Sequence, residues 1–211
     1  MTSPPDTEPE IDPRRLEILG AALEILREQG YEKTTMLAVA KRARASKETL
    51  YAWFGNKQRL FEEVIRAKAD GMNRALLAEL DGEPAVVLRR FGRNLLTLLS
   101  GADSIAINRA AVAEAPRDPS FGQALAAHGR QRTGALMIRY LEGQRDAGRL
   151  SFDDLAEDPA RAFESFVGLL VGDAQVRMLT GAIAPLDADE IAARAERATA
   201  LFLKLYGKEG V

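Results

Sequence analysis

The sequence contains no cysteine and a single histidine, His128. Without thiols the chain can form neither disulfides nor thiolate metal sites, and one imidazole is too few for a paired-histidine metal site. A lone histidine also leaves no recognisable nucleophile–base pair, and no glycine-rich phosphate loop occurs. We therefore expect no metal site, no cofactor and no enzymatic activity.

Long apolar runs are also missing. No run reaches the roughly 18 residues that a membrane-spanning helix requires. The opening segment, residues 1–12, is acidic and lacks the basic and apolar regions of a signal peptide. We therefore expect a cytoplasmic protein with no membrane partner, and the absence of cysteine is compatible with a reducing compartment.

The chain has no overall excess of basic charge, because 29 basic and 31 acidic residues leave a net charge of −2. The distribution is nevertheless uneven. Residues 1–12 carry four acids and no base, whereas residues 13–57 carry nine bases and five acids. A basic segment beside a slightly acidic body is the electrostatic pattern expected of a DNA-binding head.

Apolar residues are abundant, at 46% of the chain, and they recur at helical spacings of three and four residues. No segment alternates with the two-residue period of a strand, so the sequence predicts an all-α protein. We predict a disordered tail at 1–12, a three-helix head at 13–56 and a larger helical domain at 57–211. Helices are expected from 13 to 30 and over 34–43, 46–54, 57–80, 84–100, 103–114, 119–147 (as one helix or two), 159–180 and 187–206.

Residues 35–54 have the pattern of a helix, a short turn and a second helix. Free N–H groups at the N-terminus of the second helix attract anions, and its outward face carries groups that can hydrogen-bond or stack in a major groove. The residues predicted to face inward are Leu37, Ala40, Ala45, Leu50 and Phe54. The residues predicted to face outward are Lys47, Glu48, Thr49, Tyr51 and Trp53.

Residues 14–65 resemble the N-terminal domain of the TetR/AcrR family of transcription regulators. The motifs that carry the likeness are Gly30-Tyr31, Thr34-Thr35, Ala40, Ser46-Lys47-x-Thr49-Leu50-Tyr51-x-x-Phe54, Asn56-Lys57 and Leu60-Phe61. The resemblance implies a helix-turn-helix DNA-binding head joined to a C-terminal helical domain for ligand binding and dimerisation. It further implies a repressor that binds a palindromic operator on double-stranded DNA as a homodimer and is released by a small-molecule effector.

The resemblance also assigns roles to individual residues. Positions that commonly contact DNA phosphates are occupied by Thr35, Lys47, Tyr51 and Lys57. Positions that face bases or sugars are occupied by Glu48, Thr49 and Trp53. Other roles stay open, because Thr35 also suits a helix cap, Tyr51 could pack on the first helix, and Trp53 could lie partly in the core.

Two positions depart from the family pattern. Arg44 stands where the family usually has glycine, in the turn, and a residue with positive φ other than glycine costs on the order of 1 kcal/mol. The turn is therefore expected to be reshaped, or the Arg44 guanidinium to lie near a DNA phosphate or in solvent. Glu48 also replaces a frequent glycine. Its carboxylate could accept a hydrogen bond from cytosine N4 or complement the helix dipole.

The resemblance implies that the C-terminal helices enclose the effector, whose identity the sequence does not give. The apolar character of the candidate lining favours a hydrophobic compound. The candidate lining and anchoring residues, for each of which plain core is the alternative, are Phe91, Asn94, Leu95, Asn108, Arg109, Phe121, His128, Met137 and Phe163.

The last two predicted helices, 159–180 and 187–206, hold more aliphatic residues than one buried face requires. Gly168 and Gly172 lie one turn apart and would admit a close neighbouring helix, so a subunit interface is one interpretation and a thick monomer core is the other. The candidate interface residues are Phe166, Val167, Leu170, Val171, Ala174, Ala195, Leu201 and Phe202.

Two other functions are compatible with an all-α chain. One is a small-molecule-binding protein or enzyme without a DNA function. The other is a regulator that acts through protein partners, for which the departures at Arg44 and Glu48 are the only support. Salt-sensitive binding to duplex DNA distinguishes both from a DNA-binding regulator.

Overall fold

The computed structural model describes residues 12–78, 80–153 and 158–208. The predicted tail at 1–12 lies outside the described residues except for Asp12. Within the described ranges the secondary structure is helical without a β-strand, and one antiparallel bridge joins Leu150 to Gly207. The all-α prediction is confirmed. No helix in these ranges has both the length and the apolar character that crossing a membrane requires.

The helices follow one another along the chain from Pro13 to Tyr206. Their bounds are α1 Pro13–Lys33, α2 Met36–Arg42, α3 Lys47–Phe54, α4 Lys57–Leu77, α5 Pro84–Ser100, α6 Ala102–Glu114, α7 Ser120–Ala124, a π-helix Leu125–Gln131, α8 Arg132–Asp146, α9 Pro159–Val171, α10 Ala174–Thr180 and α11 Ala188–Tyr206.

Two segments differ from the simple helical prediction. The stretch 119–147 is helical from Ser120 to Asp146, but its middle is a π-helix, a form often found at functional sites. The prediction of one helix over 159–180 was wrong. Gly172 has φ +51, a left-handed conformation that interrupts helical hydrogen bonding, so α9 and α10 are separate helices.

The chain divides into two compact units, one up to Val64 and one from Ile65 onward. The predicted boundary at 56/57 coincides with the start of α4, whereas the division lies inside this helix. The reason is that the first turns of α4 belong to the core of the first unit, where Leu60 and Phe61 are fully buried. The Phe61 ring meets Tyr31 edge-on at 5.2 Å between centroids.

The first unit is built on the apolar face of α1. Ile18, Ala22 and Ile25 recur at helical spacing and are buried. α1 packs against α2, and α2 packs against α3. Fully burying side chains of the size of Ile18 or Leu50 contributes roughly 1.5–3 kcal/mol each, so this small unit depends on few residues.

One face of α2 is turned differently from the prediction. Leu37 was expected inside but keeps 64% of its surface exposed, whereas Met36, Val39 and Ala40 are buried. Thr35 is the N-cap, so the helix begins at Met36. Residues 36, 39 and 40 then share one face, because neighbours on a helix face are three and four residues apart.

The second unit packs α5 against α9 and α11, with α8 against α9. The helices come close at Gly92, where a Cβ would lie 3.1 Å from Leu170 Cδ1 and 3.3 Å from Ala195 Cβ. Aromatic rings bridge the same helices: Phe91 and Phe166 have centroids 6.2 Å apart, and Phe166 and Phe202 are 5.6 Å apart.

This packing corrects most of the predicted dimer surface. Six of the eight candidates are buried inside a single chain and cannot present a surface to a partner: Phe166, Leu170, Val171, Ala174, Ala195 and Phe202. For these residues the thick-core interpretation holds, because α9 has neighbours on several sides. Val167 is half-buried and Leu201 is exposed.

Candidate nucleic-acid interface

The second helix of the helix-turn-helix, α3, is held at both ends. The Ser46 hydroxyl accepts a hydrogen bond from the Thr49 backbone N–H at 3.0 Å and caps the N-terminus. Gly55, at φ +72, follows the helix, and its N–H donates to the Tyr51 carbonyl at 2.9 Å. Leu50 and Phe54 are buried one turn apart, so the opposite face of α3 is presented to solvent.

The solvent-facing side of α3 carries the predicted DNA contacts. Lys47 and Glu48 are exposed, Tyr51 keeps 46% of its surface accessible, and Thr49 is half-buried. The Lys47 Nζ lies 5.7 Å from the centroid of the Tyr51 ring, a cation–π contact that places both groups together. A cation beside a phenol hydroxyl can bind neighbouring phosphate oxygens.

Glu48 is turned toward the N-terminus of its own helix. Hydrogen bonds from its own backbone N–H and from the Ser46 hydroxyl lower the pKa of this carboxyl. The carboxylate therefore lies beside its own backbone N–H at the helix N-terminus, where a negative charge complements the helix dipole, as one of the two alternatives for this residue supposed. A contact with cytosine stays a prediction.

Trp53 lies partly inside the head. It is half-buried, and its ring meets Phe54 edge-on with centroids 6.3 Å apart. Arg15 donates to the Trp53 carbonyl at 3.2 Å and binds Glu63 through two nitrogens at 2.8 and 2.6 Å. This hydrogen bonding to Glu63 raises the pKa of Arg15. Sequence reasoning missed Arg15, because its partners on α3 and α4 are distant in the chain.

Two predicted phosphate contacts have partners within the chain. The Thr35 hydroxyl accepts from the Ala38 N–H at 3.1 Å and caps α2, although Thr35 stays exposed. Lys57 donates from Nζ to the Tyr31 carbonyl at 2.9 Å and lies 3.9 Å from the centroid of the Tyr31 ring. The Lys57 ammonium thus secures the end of α1 to the start of α4, a role the sequence did not indicate.

The turn between α2 and α3 is not reshaped by its arginine. Arg44 adopts φ +50, the left-handed conformation in which glycine is usual. Its N–H donates to the Lys41 carbonyl at 3.3 Å, and the Ala45 N–H donates to the Ala40 carbonyl at 2.9 Å. These two bonds form a Schellman motif, the common way in which a helix ends at a left-handed residue.

Exposed basic residues surround α3. Lys41, Arg44 and Lys47 are exposed, and none of the three forms an ion pair with another residue that the structure describes. Arg42 differs, since it binds Glu24 and Glu28 at 3.0 and 2.7 Å. Three exposed cations without ion pairs beside an exposed polar helix face are an arrangement that would attract a polyanion. Lys41 was not among the predicted contacts; its place on the outer face of α2 is the signal that was available.

Comparison with known proteins decides the family. Residues 18–64 match the description "Bacterial regulatory proteins, tetR family", and residues 86–208 match "AefR-like transcriptional repressor, C-terminal domain". The chain belongs to the TetR family. The resemblance in the head is confirmed and extends over the C-terminal unit. A TetR-family protein is a DNA-binding transcriptional regulator and not an enzyme.

Individual relatives agree with this assignment. A TetR transcriptional regulator from Agrobacterium tumefaciens is 36% identical over 94% of this chain and 96% of its own, with a TM-score of 0.76. The flavonoid-responsive regulator FrrA is 29% identical over 93% of this chain and 98% of its own, with a TM-score of 0.69. An uncharacterized HTH-type transcriptional regulator from Mycobacterium tuberculosis is 30% identical, covering 69% of this chain and 70% of the relative.

In this TetR-family regulator the effector candidates have different environments. Four are core residues: Phe91, Phe121, Met137 and Phe163. Three are half-buried: Leu95, Asn108 and His128, the last of which lies in the π-helix. Two are exposed: Asn94 and Arg109. The buried aromatic residues fill space between helices, so their burial alone does not define a cavity.

Two of the polar candidates are bound to backbone carbonyls. Arg109 donates to the Leu179 and Met178 carbonyls at 2.9 and 3.1 Å and thereby caps the C-terminus of α10. The Arg109 guanidinium thus has a structural partner within the chain, and its role as an effector anchor stays a prediction. Asn108 donates from Nδ2 to the Ser104 carbonyl one turn earlier at 2.8 Å.

A buried polar cluster between α4 and α8 was not predicted. The Thr133 hydroxyl donates to Asn73 Oδ1 at 2.7 Å, and Arg132 binds Asp70 at 2.8 Å. Asn73 is 4% exposed, and its Nδ2 has no hydrogen-bond partner among the residues described. An unsatisfied buried donor is unfavourable, so this amide is a position where a bound oxygen atom would be stabilised.

Proposed function

We propose that this protein is a ligand-released repressor that binds a palindromic operator on double-stranded DNA as a homodimer. The observation that carries the proposal is the exposed face of α3, where Lys47 and Tyr51 lie together beside the uncompensated cations Lys41 and Arg44. This arrangement suits a helix that enters the major groove while flanking cations bind phosphates.

The proposed contacts fall into two groups. Phosphate contacts are proposed for Thr35, Lys41, Arg44, Lys47 and Tyr51. Contacts with bases or sugars are proposed for Glu48, Thr49 and Trp53. For Lys57 we propose an indirect role, in which its ammonium group holds Tyr31 at the end of α1 instead of contacting a phosphate.

The operator is tested by selecting genomic fragments with the purified full chain and footprinting the enriched site at near-physiological salt. We expect a protected inverted repeat whose half-sites are roughly 34–36 Å, or one helical turn, apart. If no fragment is enriched with the protein alone, simple repression by the unliganded protein is wrong. Ligand-dependent DNA binding or a protein partner would then become the alternative.

The phosphate contacts are tested with Lys47→Ala and the matched control Lys208→Ala, which removes the same charge from an exposed position in the second unit. Loss of one phosphate contact weakens binding to all duplexes and reduces the salt-dependence slope by about 1. The control should leave affinity and slope unchanged. Equal effects of both substitutions would show that only overall charge matters.

The homodimer is proposed to form through exposed small and apolar residues of α9, α10 and α11, namely Gly168, Val176, Leu201 and Leu205. A Cβ at Gly168 meets nothing within 4 Å, so Gly168→Arg is compatible with the single-chain fold and would block only a second chain. Gly143→Arg on α8 is the matched control, since it is equally open. Sedimentation velocity should show monomers for the first variant alone.

A hydrophobic effector is supported by the half-buried Leu95 and His128 and by the Asn73 amide, which offers a hydrogen bond to a ligand oxygen. The relative FrrA is named as flavonoid-responsive, which makes flavonoids the first compounds to test. A flavonoid panel should release the protein from its footprinted operator, with a simple sugar as the polar control. Release by polar compounds alone would overturn the hydrophobic assignment.

A further inference from the structure

Three helices in the described ranges end with the same pair of hydrogen bonds. At the end of α8, Gly148 has φ +74, and its N–H donates to the Arg145 carbonyl while Arg149 donates to Gln144. At the end of α10, Gly181 has φ +77 and makes the equivalent bond to Met178. At the end of α2 the left-handed residue is Arg44, the only non-glycine residue with positive φ among those described.

Arg14, in the first turn of α1, holds this unusual turn. Its Nη2 donates to the Ala43 carbonyl at 2.7 Å and to the Arg44 carbonyl at 2.9 Å. Two backbone carbonyls in succession are thereby held by one guanidinium. The peptide that follows the left-handed residue can no longer rotate without losing a charge-assisted hydrogen bond.

Arg14 is itself fixed at the start of α1. Its backbone N–H donates to the Asp12 side chain at 2.8 Å, and its Nη1 forms an ion pair with Glu17. The guanidinium therefore faces the turn carbonyls and an acid of its own helix. This environment differs from that of Lys41 and Lys47, which are exposed without ion pairs to described residues.

The position of the held carbonyls matters because α3 begins only three residues after Arg44. Ala45 and the N-cap Ser46 are all that separates Arg44 from Lys47. A rotation of the peptide after Arg44 would therefore change the direction in which α3 leaves the turn. Groups used for DNA contact must be held within about 0.5 Å and about 10–20° of their binding geometry, so small changes are costly.

We infer that Arg14 is a positioning residue for DNA binding. It holds the α2–α3 turn in the left-handed geometry that glycine adopts without help, and it thereby sets the orientation of α3. The inference rests on the proposed use of α3 for operator binding. It predicts that the requirement for Arg14 depends on the residue at position 44, which neither a phosphate contact nor a general stabilising role would produce.

The test is a double-mutant cycle that combines Arg14→Met with Arg44→Gly in the full chain. The affinity for the operator is measured for each of the four proteins. Arg14→Met should weaken operator binding about tenfold in the otherwise unchanged protein, because the charged donor that holds two turn carbonyls is lost. In the Arg44→Gly background the same substitution should cost less than about threefold, since glycine adopts the turn unaided. The salt-dependence slope should not change.

Controls separate the competing roles. Arg14→Lys keeps the positive charge but lacks the planar, multiply donating guanidinium. It should therefore restore only part of the operator affinity that Arg14→Met loses. Arg149→Met removes a hydrogen-bonding guanidinium from the end of α8, beside the left-handed Gly148, and should not alter operator binding. Equal losses in both backgrounds, with a slope reduced by about 1, would make Arg14 a phosphate contact and overturn the inference. No loss in the parent would also overturn it.

Hydrogen exchange separates failure of this inference from failure of the proposed function. The Ala45 N–H, bonded to Ala40, should exchange faster in Arg14→Met than in the parent and slow again when Arg44→Gly is added. This result would hold even if no operator bound to α3. Unchanged exchange at Ala45 would mean that Arg14 does not hold the turn.

Discussion

α3 and α9 are both helices with strongly apolar faces, but they differ in how they are surrounded. α3 buries Leu50 and Phe54 within the head and exposes Lys47, Glu48 and Tyr51 to solvent. α9 packs against α5, α8 and α11. A helix with neighbours on one side can carry a function on the other, whereas a helix surrounded by neighbours contributes mainly to stability.

Among substitutions that test this difference between α3 and α9, Phe166→Ala is expected to change the free energy of unfolding most. Removing a fully buried phenylalanine costs roughly 3–5 kcal/mol through lost burial and a cavity. Tyr51→Ala, on the exposed face of α3, should change the free energy of unfolding by less than about 0.5 kcal/mol. Urea unfolding at several protein concentrations measures both. A Phe166 effect that changed with concentration would indicate an interface instead of a core.

A second prediction concerns the closest approach of α5 to α9 and α11. Gly92→Val should destabilise the chain by roughly 1–3 kcal/mol, because its Cβ would lie 3.1 Å from Leu170 Cδ1 and overpack the core. Gly143→Val, on the open face of α8, is the control for helix propensity. Thermal unfolding of the two variants gives the difference. Equal melting temperatures would show that α5 can move away without cost.

A third prediction exchanges the residues at two equivalent helix ends. Arg44→Gly should raise the free energy of unfolding by about 1 kcal/mol, because the left-handed conformation no longer strains a side chain. Gly148→Arg, at the end of α8, should lower it by a similar amount of about 1 kcal/mol. Denaturant titrations measure both. If Arg44→Gly were also neutral toward DNA, the Arg44 side chain would have no part in the interface.

The smallest effects are expected at glycines inside helices. Gly20 in α1 and Gly71 in α4 would each place a Cβ where nothing lies within 4 Å. Gly20→Ala and Gly71→Ala should therefore each stabilise the chain by roughly 0.5–1 kcal/mol through reduced backbone entropy of the unfolded state. Calorimetry would detect the shift. A destabilising Gly20→Ala would contradict the open environment of this position.

The head could be predicted closely because its signals are local. The Ser46 cap, the buried Leu50 and Phe54, and Gly55 at the end of α3 follow from spacing and capping preferences alone. The environment of Lys57 could not be predicted in this way, since Tyr31 is distant in the chain. Leu37 was misplaced because residues 37 and 40 and residues 36, 39 and 40 are both helically spaced, and only the packing of α2 against α1 decides which set is buried.

The second unit was less predictable. Its helices were located, but aliphatic richness cannot separate a residue that meets another helix of its own chain from one that meets a second subunit. Phe166 and Phe202 were candidates for the interface and lie in contact with each other inside the core. The buried Asn73 and Thr133 were missed, because isolated polar residues on a helix usually face solvent.

The sequence by itself determined the all-α class, the helix-turn-helix and the family, because helical periodicity, caps and a short motif are properties of neighbouring residues. Only the tertiary structure decided that Arg14 binds the Arg44 carbonyl, that the apolar face of α9 is buried within the chain, and that the buried Asn73 has an N–H without a partner among the described residues. These features depend on contacts between segments far apart in the chain, whose geometry is set by how the helices pack together.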